Sequence, residues 1–215
     1  PDNTVNEHFR NSKVLNYCWN TIPEQGGDEV PYKLANAGYP IILCNVGNFY
    51  LDMAYCYHVD EPGLRWGGYV DEYVTLDMLP FDIYKSLRRN LKGEPVDVKA
   101  ASNGKQPLTK EGYQNFKGLS GQIWSETIRS FEQVEYYLFP KVFGLAERAW
   151  NVQPSWALSP DGKVYMDAKR KYNAGIIDYE LPRLAKRGIN FRVSPPGIMI
   201  RDGLLLANTA IPNAI

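Results

Sequence analysis

Two pairs of side chains in this 215-residue sequence combine an aromatic ring with a carboxylate at the same spacing. Tyr50 and Asp52 are two residues apart, and Trp124 and Glu126 repeat that spacing. In an extended backbone such residues point to the same side, so each pair would set a flat apolar face beside a hydrogen-bond acceptor. A small, polar or neutral ligand with an apolar face fits such pairs.

The stretch GGDEV at 26–30 offers a different chemistry, because Asp28 and Glu29 are adjacent carboxylates behind two flexible glycines. Adjacent carboxylates could serve general acid and base catalysis. However, the preceding NTIPE is typical of a loop and the following VPYKLANAG predicts a helix. Carboxylates in the first turn of a helix interact favourably with the helix dipole. We therefore expect Asp28 and Glu29 to be structural.

Three buried strands are predicted around these motifs, at 13–21 (KVLNYCWNT), 39–46 (YPIILCNV) and 118–126 (GLSGQIWSE). The short helix between the first two should stop at Gly38. A strand, a helix and a strand in this order predict a right-handed crossover in a parallel sheet. The stretch 48–73 is rich in aromatic residues and is broken by Gly and Pro, which is typical of a loop that faces a ligand or a partner.

The rest of the chain predicts mostly helices. We expect helices at 75–93, at 131–150 with a kink or a new start at Pro140, and at 164–189 with a break near Gly175. The polar stretch 94–114 predicts a surface loop, and 190–215 contains strand-like pieces.

Composition excludes several classes of function. Lys and Arg total 24, as do Asp and Glu, so no basic surface for nucleic acid is expected. No apolar run reaches the ~20 residues of a membrane span. Cys18, Cys44 and Cys56 lack metal-site spacing and are expected to be structural. Because only His8 and His58 are present, we predict neither a histidine metal centre nor a serine triad, and no cofactor.

Five segments, taken in order, resemble the second half of the catalytic barrel of glycoside hydrolase family 20, the β-N-acetylhexosaminidases, in its bacterial chitobiase-like form. They are WNTIP, YPIILCNVGNFYLD, GLRWGG, GLSGQIWSE and AERAW. The resemblance covers about residues 11–150, and the later RGINFRVSPPG and DGLLLAN look like the family's junction into a C-terminal β-rich domain. It implies an α/β fold. Residues 1–188 would form about the last three units of a (β/α)₈ TIM barrel, and 189–215 would begin a truncated β-sandwich-like domain.

The resemblance also implies an activity. Family members release terminal non-reducing N-acetylglucosamine or N-acetylgalactosamine by retaining catalysis in which the substrate's own acetamido oxygen attacks the sugar carbon. Tyr50 would position the acetamido group. The substrate-binding residues would be Trp19, Asp52, Trp66, Trp124 and Glu126. The partner would be a glycan or chitooligosaccharide ending in such a sugar, and family members of this kind suggest a periplasmic or secreted bacterial enzyme.

The family's own Asp-Glu acid/base pair also follows two glycines, but it lies at the end of the fourth strand with a His shortly before it. Here Gln25 precedes the glycines, and Trp19 on the preceding strand matches the sixth strand. The resemblance therefore implies that the acid/base pair lies in the remainder of the same polypeptide. Two alternatives remain open: a non-catalytic carbohydrate-binding remnant, and a (β/α) glycosidase that uses Asp28 and Glu29.

Overall fold

The computed structural model describes residues 14–86, 89–159 and 161–208, and it has an α/β fold. The strands are β1 (Asn16–Cys18), β2 (Ile41–Leu43), β3 (Phe116–Leu119), β4 (Gly197–Arg201) and β5 (Leu204–Asn208). The helices are α1 (Val30–Asn36), α2 (Val46–Phe49), α3 (Glu72–Leu76), α4 (Val98–Ser102), α5 (Phe131–Leu138), α6 (Lys141–Trp150), α7 (Ser155–Leu158), α8 (Gly162–Gly175) and α9 (Leu181–Lys186). No helix within these residues is both long and apolar enough to cross a bilayer.

The strands β1, β2 and β3 form one parallel sheet in that order. In its register, Cys18 pairs with Leu43 and Leu43 pairs with Leu119. The helix α1 connects β1 to β2, which confirms the predicted strand, helix and parallel strand. Both strands are shorter than predicted, because the chain leaves the sheet soon after Cys18 and Leu43. Residue 13 of the first predicted strand lies outside the described residues.

The third strand is shifted relative to the prediction. It covers Phe116–Leu119 rather than 118–126, and an isolated bridge between Tyr50 and Gln122 continues the pairing beyond it. Within the described residues only β2 pairs with β3, so few hydrogen bonds extend this strand. Trp124 and Glu126 therefore lie beyond the strand and are exposed.

The prediction of one helix at 75–93 is wrong. The helix α3 ends at Leu76, and a 3₁₀ turn follows at Ile83–Ser86. The hydroxyl of the buried Tyr32 donates to the carbonyl of Pro80 at 2.9 Å and accepts from the amide of Ile83 at 2.8 Å. A side chain of α1 thus satisfies backbone groups that a continuous helix would pair internally.

The other helical predictions hold more closely. The chain begins a new helix after Pro140, and a π-helical turn at Ile176–Glu180 separates α8 from α9 near Gly175. The predicted surface loop at 94–114 contains the short helix α4. The predicted strand-like segment contains the antiparallel hairpin of β4 and β5, which turns at Asp202 and Gly203, both with positive φ.

The close packing of α6 against α3 depends on Gly144. A Cβ atom at this position would lie 2.0 Å from Thr75 Oγ1 and 2.7 Å from the Leu76 amide nitrogen. Such contacts with backbone cannot be relieved by moving a side chain, so α6 approaches α3 only because residue 144 lacks a side chain.

We expect Gly144→Ala to lower the free energy of unfolding by about 2 kcal/mol, because α6 must move away from α3. The control is Gly175→Ala at the end of α8, where a Cβ atom meets nothing within 4 Å. There the helix preference of alanine should stabilise the protein by about 0.5–1 kcal/mol. Urea unfolding of both variants measures the two effects, and equal effects would contradict the packing argument.

Candidate functional site

The site is built at the end of β2, where the chain makes the helical turn α2 and returns to pair with the segment after β3. The amide of Leu51 donates to the carbonyl of Gln122 at 2.7 Å, and the amide of Gln122 donates to the carbonyl of Phe49 at 2.8 Å. These two bonds flank Tyr50 and fix it beside the segment that leads to Trp124.

Tyr50 contacts two of the predicted tryptophans. Its ring centroid lies 5.7 Å from that of Trp66 in an edge-to-face arrangement and 6.1 Å from that of Trp124. Tyr50 is only 3% exposed, whereas Trp66 and Trp124 are 44% and 47% exposed. Two half-open aromatic walls therefore meet at a buried phenol, as expected for a surface that receives an apolar ligand face.

The hydroxyl of Tyr50 is held in its neutral form. Burial raises its pKa above the ordinary value, while the indole N–H of Trp124 acts in the opposite direction. A neutral phenol can donate a hydrogen bond to a carbonyl oxygen. Tyr50 thus offers a donor between the two tryptophan rings.

Asp52 is fully buried, and neither of its carboxylate oxygens has a hydrogen-bond partner among the residues that the structure describes. Burial raises the pKa of Asp52, and the charge of Glu126 raises it further. The backbone amides of Asp52 and Trp124 and the charge of Lys141 lower it. These amides lie close enough to act on the carboxylate electrostatically but not in hydrogen-bonding geometry. Because buried carboxylates are normally paired, these free acceptors suit a ligand that donates hydrogen bonds.

The backbone between Tyr50 and Asp52 differs from the extended form expected from their spacing. The amide of Met53 donates to the carbonyl of Tyr50 at 3.2 Å, which closes a turn. The two side chains nevertheless interact, since the negative charge of Asp52 contributes to the raised pKa of Tyr50. The turn, rather than strand alternation, brings them together.

Lys141 lies beneath this turn, and the sequence did not mark it as functional. It is fully buried, and its Nζ donates to the carbonyls of Leu51 and Met53 at 2.7 and 2.6 Å, on either side of Asp52. Nζ also lies 3.7 Å from the ring centroid of Tyr55. Burial lowers the pKa of Lys141 to about 7, against the opposing charges of Glu61, Asp52 and Asp71.

The loop after Asp52 folds back so that Trp66 reaches Tyr50. The amide of Leu64 donates to the carbonyl of Asp52 at 3.1 Å, and the amide of Ala54 donates to the carbonyl of Leu64 at 2.8 Å. Gly63 has a φ of 121°, and a Cβ there would lie 2.7 Å from the Asp52 carbonyl oxygen. Only glycine fits this crossing.

The remaining predicted residues are placed differently. Glu126 is exposed and acts on Asp52 through its charge. Trp19 directly follows β1 and is 50% exposed, but in the described part of the chain it makes no ring contact with Tyr50, Trp66 or Trp124. Ring contacts thus group Tyr50, Trp66 and Trp124, and Asp52 lies in the same turn as Tyr50. Glu126 is connected to Asp52 only through its charge, and Trp19 lies outside the ring cluster.

Asp28 and Glu29 bind a neighbouring loop. Asp28 is buried, and the Nζ of Lys105 lies 3.0 and 3.2 Å from its two carboxylate oxygens. Glu29 accepts from the amide of Gln106 at 3.3 Å, and this bond is the main cause of its lowered pKa. Both carboxylates thus anchor residues 105 and 106 against the start of α1.

Two further observations concern metal binding and the position of a cavity. Among residues 14–86, 89–159 and 161–208, no group of three or more His, Cys, Asp or Glu side chains could hold a metal ion. A cavity of about 750 Å³ is lined by loops after β1 and β2 and by Tyr165 and Lys169 of α8, but not by Tyr50 or Trp124. We place the site at the aromatic cluster because, in the part of the chain that the structure describes, it combines half-open rings with unpaired buried acceptors.

Family models match most of this chain. The model of the glycosyl hydrolase family 20 catalytic domain matches residues 2–153, and that of the chitobiase/beta-hexosaminidase C-terminal domain matches residues 180–213.

Individual relatives agree with the family models. N,N'-diacetylchitobiase of Vibrio harveyi is 30% identical over 204 residues, which are 87% of this chain and 22% of that protein. Beta-hexosaminidase of Vibrio vulnificus is 26% identical over 211 residues, 88% of this chain and 24% of the relative. The solved N-acetyl-beta-hexosaminidase of Streptomyces plicatus, in complex with Thio-NAglucal, is 26% identical with a TM-score of 0.52 over 85% of this chain and 29% of its own.

These matches place the chain among the glycoside hydrolases. It belongs to glycosyl hydrolase family 20, the family of the β-N-acetylhexosaminidases. The chain spans about a quarter of the length of the curated relatives it matches.

Proposed function

We propose that this chain supplies part of the substrate site of an enzyme that releases terminal non-reducing N-acetylglucosamine or N-acetylgalactosamine. The single observation that carries the proposal is the contact of the buried Tyr50 with the half-open rings of Trp66 and Trp124, beside the unpaired carboxylate of Asp52. An aminosugar has an apolar C–H face, hydroxyl donors and an acetamido carbonyl, and each has a counterpart in this cluster.

The roles follow from the chemistry of each group. The neutral Tyr50 hydroxyl donates to the acetamido carbonyl, and Asp52 accepts from a sugar hydroxyl. Trp124 forms a wall beside the acetamido methyl group, and Trp66 stacks on the sugar beyond the cleavage point. Glu126 binds the outer hydroxyls, and Trp19 is a further wall of the pocket.

In this mechanism the acetamido oxygen attacks the anomeric carbon while the bond to the leaving oxygen breaks, which gives an oxazolinium intermediate that water then opens. Tyr50 holds that oxygen in line for attack. The proton for the leaving oxygen comes from an Asp-Glu pair in the remainder of the polypeptide; we call that polypeptide with its pair the complete enzyme. We assign residues 1–188 to the last three units of its (β/α)₈ barrel and 189–215 to the start of a C-terminal β-rich domain.

The test is hydrolysis of a chromogenic N-acetylglucosaminide by the complete enzyme. Trp124→Ala should lower kcat/KM at least about tenfold, because a wall of the acetamido pocket is lost. Trp150→Ala is the control, since Trp150 is 92% exposed at the end of α6 and is expected to change kcat/KM less than about twofold. Equal effects of the two substitutions, or no hydrolysis by the unmodified complete enzyme, would overturn the proposal.

We expect Glu29→Gln to leave kcat/KM of the complete enzyme within about twofold, because the partly exposed ion pairs of Glu29 contribute little. Asp28→Asn should lower the free energy of unfolding by about 2 kcal/mol, since it removes charged hydrogen bonding from the buried end of the Lys105 pair. Steady-state kinetics and urea unfolding measure the two effects. Loss of activity in Glu29→Gln would favour a glycosidase that uses Asp28 and Glu29 as its acid/base pair.

A further inference from the structure

The segment between α9 and the β4–β5 hairpin is fixed along α5. The amide of Asn190 donates to Glu135 Oε2 at 2.8 Å, and its side-chain nitrogen donates to the carbonyl of Glu132 at 2.9 Å. The amide of Arg192 donates to the carbonyl of Phe139 at 3.1 Å. Phe191 packs with the apolar cluster of α9 and the π-helical turn. We call residues 189–194 the linker segment.

From this segment the side chain of Arg192 enters the protein interior. Its Nε and Nη2 donate to Glu61 Oε2 at 3.4 and 3.2 Å, and Nη1 donates to the hydroxyl of Ser194 at 2.8 Å. The side chains of Arg192 and Glu61 are only 6% and 7% exposed. The guanidinium carbon also lies 4.4 Å from the ring centroid of Tyr55. Two charges removed from water to this degree depend on each other, because either one alone would be buried and unpaired.

Glu61 belongs to the loop that carries Trp66. Its second oxygen accepts from the hydroxyl of Tyr136 at 2.7 Å, so α5 and the linker segment hold the carboxylate from two sides. The Nη2 of Arg65 donates to the carbonyl of His58 at 2.7 Å and lies 3.4 Å from that of Glu61. Glu61 is therefore one anchor of the loop that leads into Trp66, in addition to the crossing at Gly63.

The sequence separation of this pair is large. Glu61 and Arg192 are 131 residues apart, and the linker segment leads directly into the hairpin matched by the C-terminal domain model. The tip of the loop is open to solvent, since Tyr57 and Val59 are 84% and 87% exposed. The ion pair thus connects the entry to the C-terminal segment with the aromatic wall of the site.

We propose that Arg192 is a positioning residue. Through its ion pair with Glu61 it holds the loop that carries Trp66, residues 56–66, against the linker segment and thereby places Trp66 against Tyr50. We call these residues the 56–66 loop. The C-terminal segment then sets the affinity of the site for the sugar stacked on Trp66. This last step rests on the proposed function, whereas the tie between the linker segment and the loop does not.

The tie is tested first by hydrogen exchange in the complete enzyme without ligand. Arg192→Met and Glu61→Gln should each lower the protection of amides in the 56–66 loop at least about tenfold, because the loop loses its buried anchor. Arg192→Lys, which keeps the charge, should lower it less. The control is Arg183→Met, because Arg183 pairs with Glu180 on the exposed surface of α9. Unchanged protection of the loop in both Arg192→Met and Glu61→Gln would overturn the proposal.

The effect on the site is tested by a double-mutant cycle with a chitooligosaccharide substrate. Trp66→Ala should raise KM about fivefold with little change in kcat, as expected for loss of a stacking contact. Arg192→Met should raise KM by a similar factor, and it should add less than about twofold in the Trp66→Ala background, because both changes remove the same contact. Fully additive effects would show that Arg192 does not act through Trp66.

The two measurements separate the inference from the proposed function. If Trp66→Ala leaves KM unchanged, the assignment of Trp66 to the substrate fails, and the effect of the C-terminal segment on affinity fails with it. The exchange result then still decides whether Arg192 holds the loop. If the exchange result is negative while Trp66→Ala raises KM, the proposed function stands and the role of Arg192 is refuted.

Discussion

Replacement of Tyr50 by phenylalanine is expected to lower kcat of the complete enzyme about 100-fold. The substitution removes one hydroxyl and keeps the ring that contacts Trp66 and Trp124. A preorganised donor aimed at a reacting oxygen contributes about 10²–10³ in kcat when it is lost. Here the donor is the neutral phenol that we propose holds the acetamido oxygen in line, so the loss should appear in kcat more than in KM.

Steady-state kinetics on a chromogenic N-acetylglucosaminide measures this effect. The matched control is Tyr136→Phe, which also removes a hydroxyl from a tyrosine, one that donates to Glu61 rather than to the site. Tyr136→Phe should leave kcat within about threefold. A Tyr50→Phe enzyme with unchanged kcat would refute the positioning role of Tyr50.

The second large effect concerns Lys141. We expect Lys141→Met to lower the free energy of unfolding by about 3 kcal/mol, because it leaves the carbonyls of Leu51 and Met53 without this donor and removes the charge of Lys141 that acts on Asp52. The turn that carries Asp52 should loosen, and kcat/KM should fall with it. The control Lys163→Met on the exposed first turn of α8 should change stability by less than about 0.5 kcal/mol.

The same lysine makes a prediction about pH. Its pKa is about 7 in the folded protein, below the ordinary value of 10.5, so between these values the unfolded chain binds more protons. Stability must therefore rise with pH across this window. The stability difference between the unmodified protein and Lys141→Met should grow from pH 7 to pH 10. Urea unfolding at several pH values measures it, and a difference that shrinks with rising pH would contradict the buried position of Lys141.

The local sequence pattern predicted the two parallel strands and the connecting helix that lead to the site. The apolar runs at 13–21 and 39–46 and the helix stopped at Gly38 were sufficient to predict two parallel strands with a connecting helix, because each pattern depends on neighbours in the sequence. The aromatic stretch 48–73 contains the loop that brings Trp66 to Tyr50, and its facing a ligand or a partner stays a prediction. The helix expected at 75–93 failed because the hydroxyl of Tyr32, from a different element, satisfies backbone groups at Pro80 and Ile83.

The residues that support the site could not be predicted in the same way. Lys141 stands in FPKVF, where a lysine in a helical segment normally predicts solvent exposure, and its role depends on carbonyls about 90 residues away. Arg192 is equally unremarkable in its local sequence, and its partner Glu61 lies 131 residues away. Trp19, which the resemblance implies to be a pocket wall, is half exposed just after β1 and makes no ring contact with Tyr50, Trp66 or Trp124 among the described residues, so its role stays a prediction.

The central claim is that Tyr50, Asp52 and Trp124 enclose one aminosugar, while Trp66 stacks on the sugar beyond the cleavage point. The most direct measurement is a crystal structure of the complete enzyme with N-acetylglucosamine-thiazoline, a mimic of the cyclised intermediate. We predict the ligand's thiazoline ring against Trp124, with the Tyr50 hydroxyl and the Asp52 carboxylate each within about 3 Å of a ligand polar atom. A ligand bound in the 750 Å³ cavity beside Tyr165 and Lys169, with Tyr50 untouched, would contradict the account.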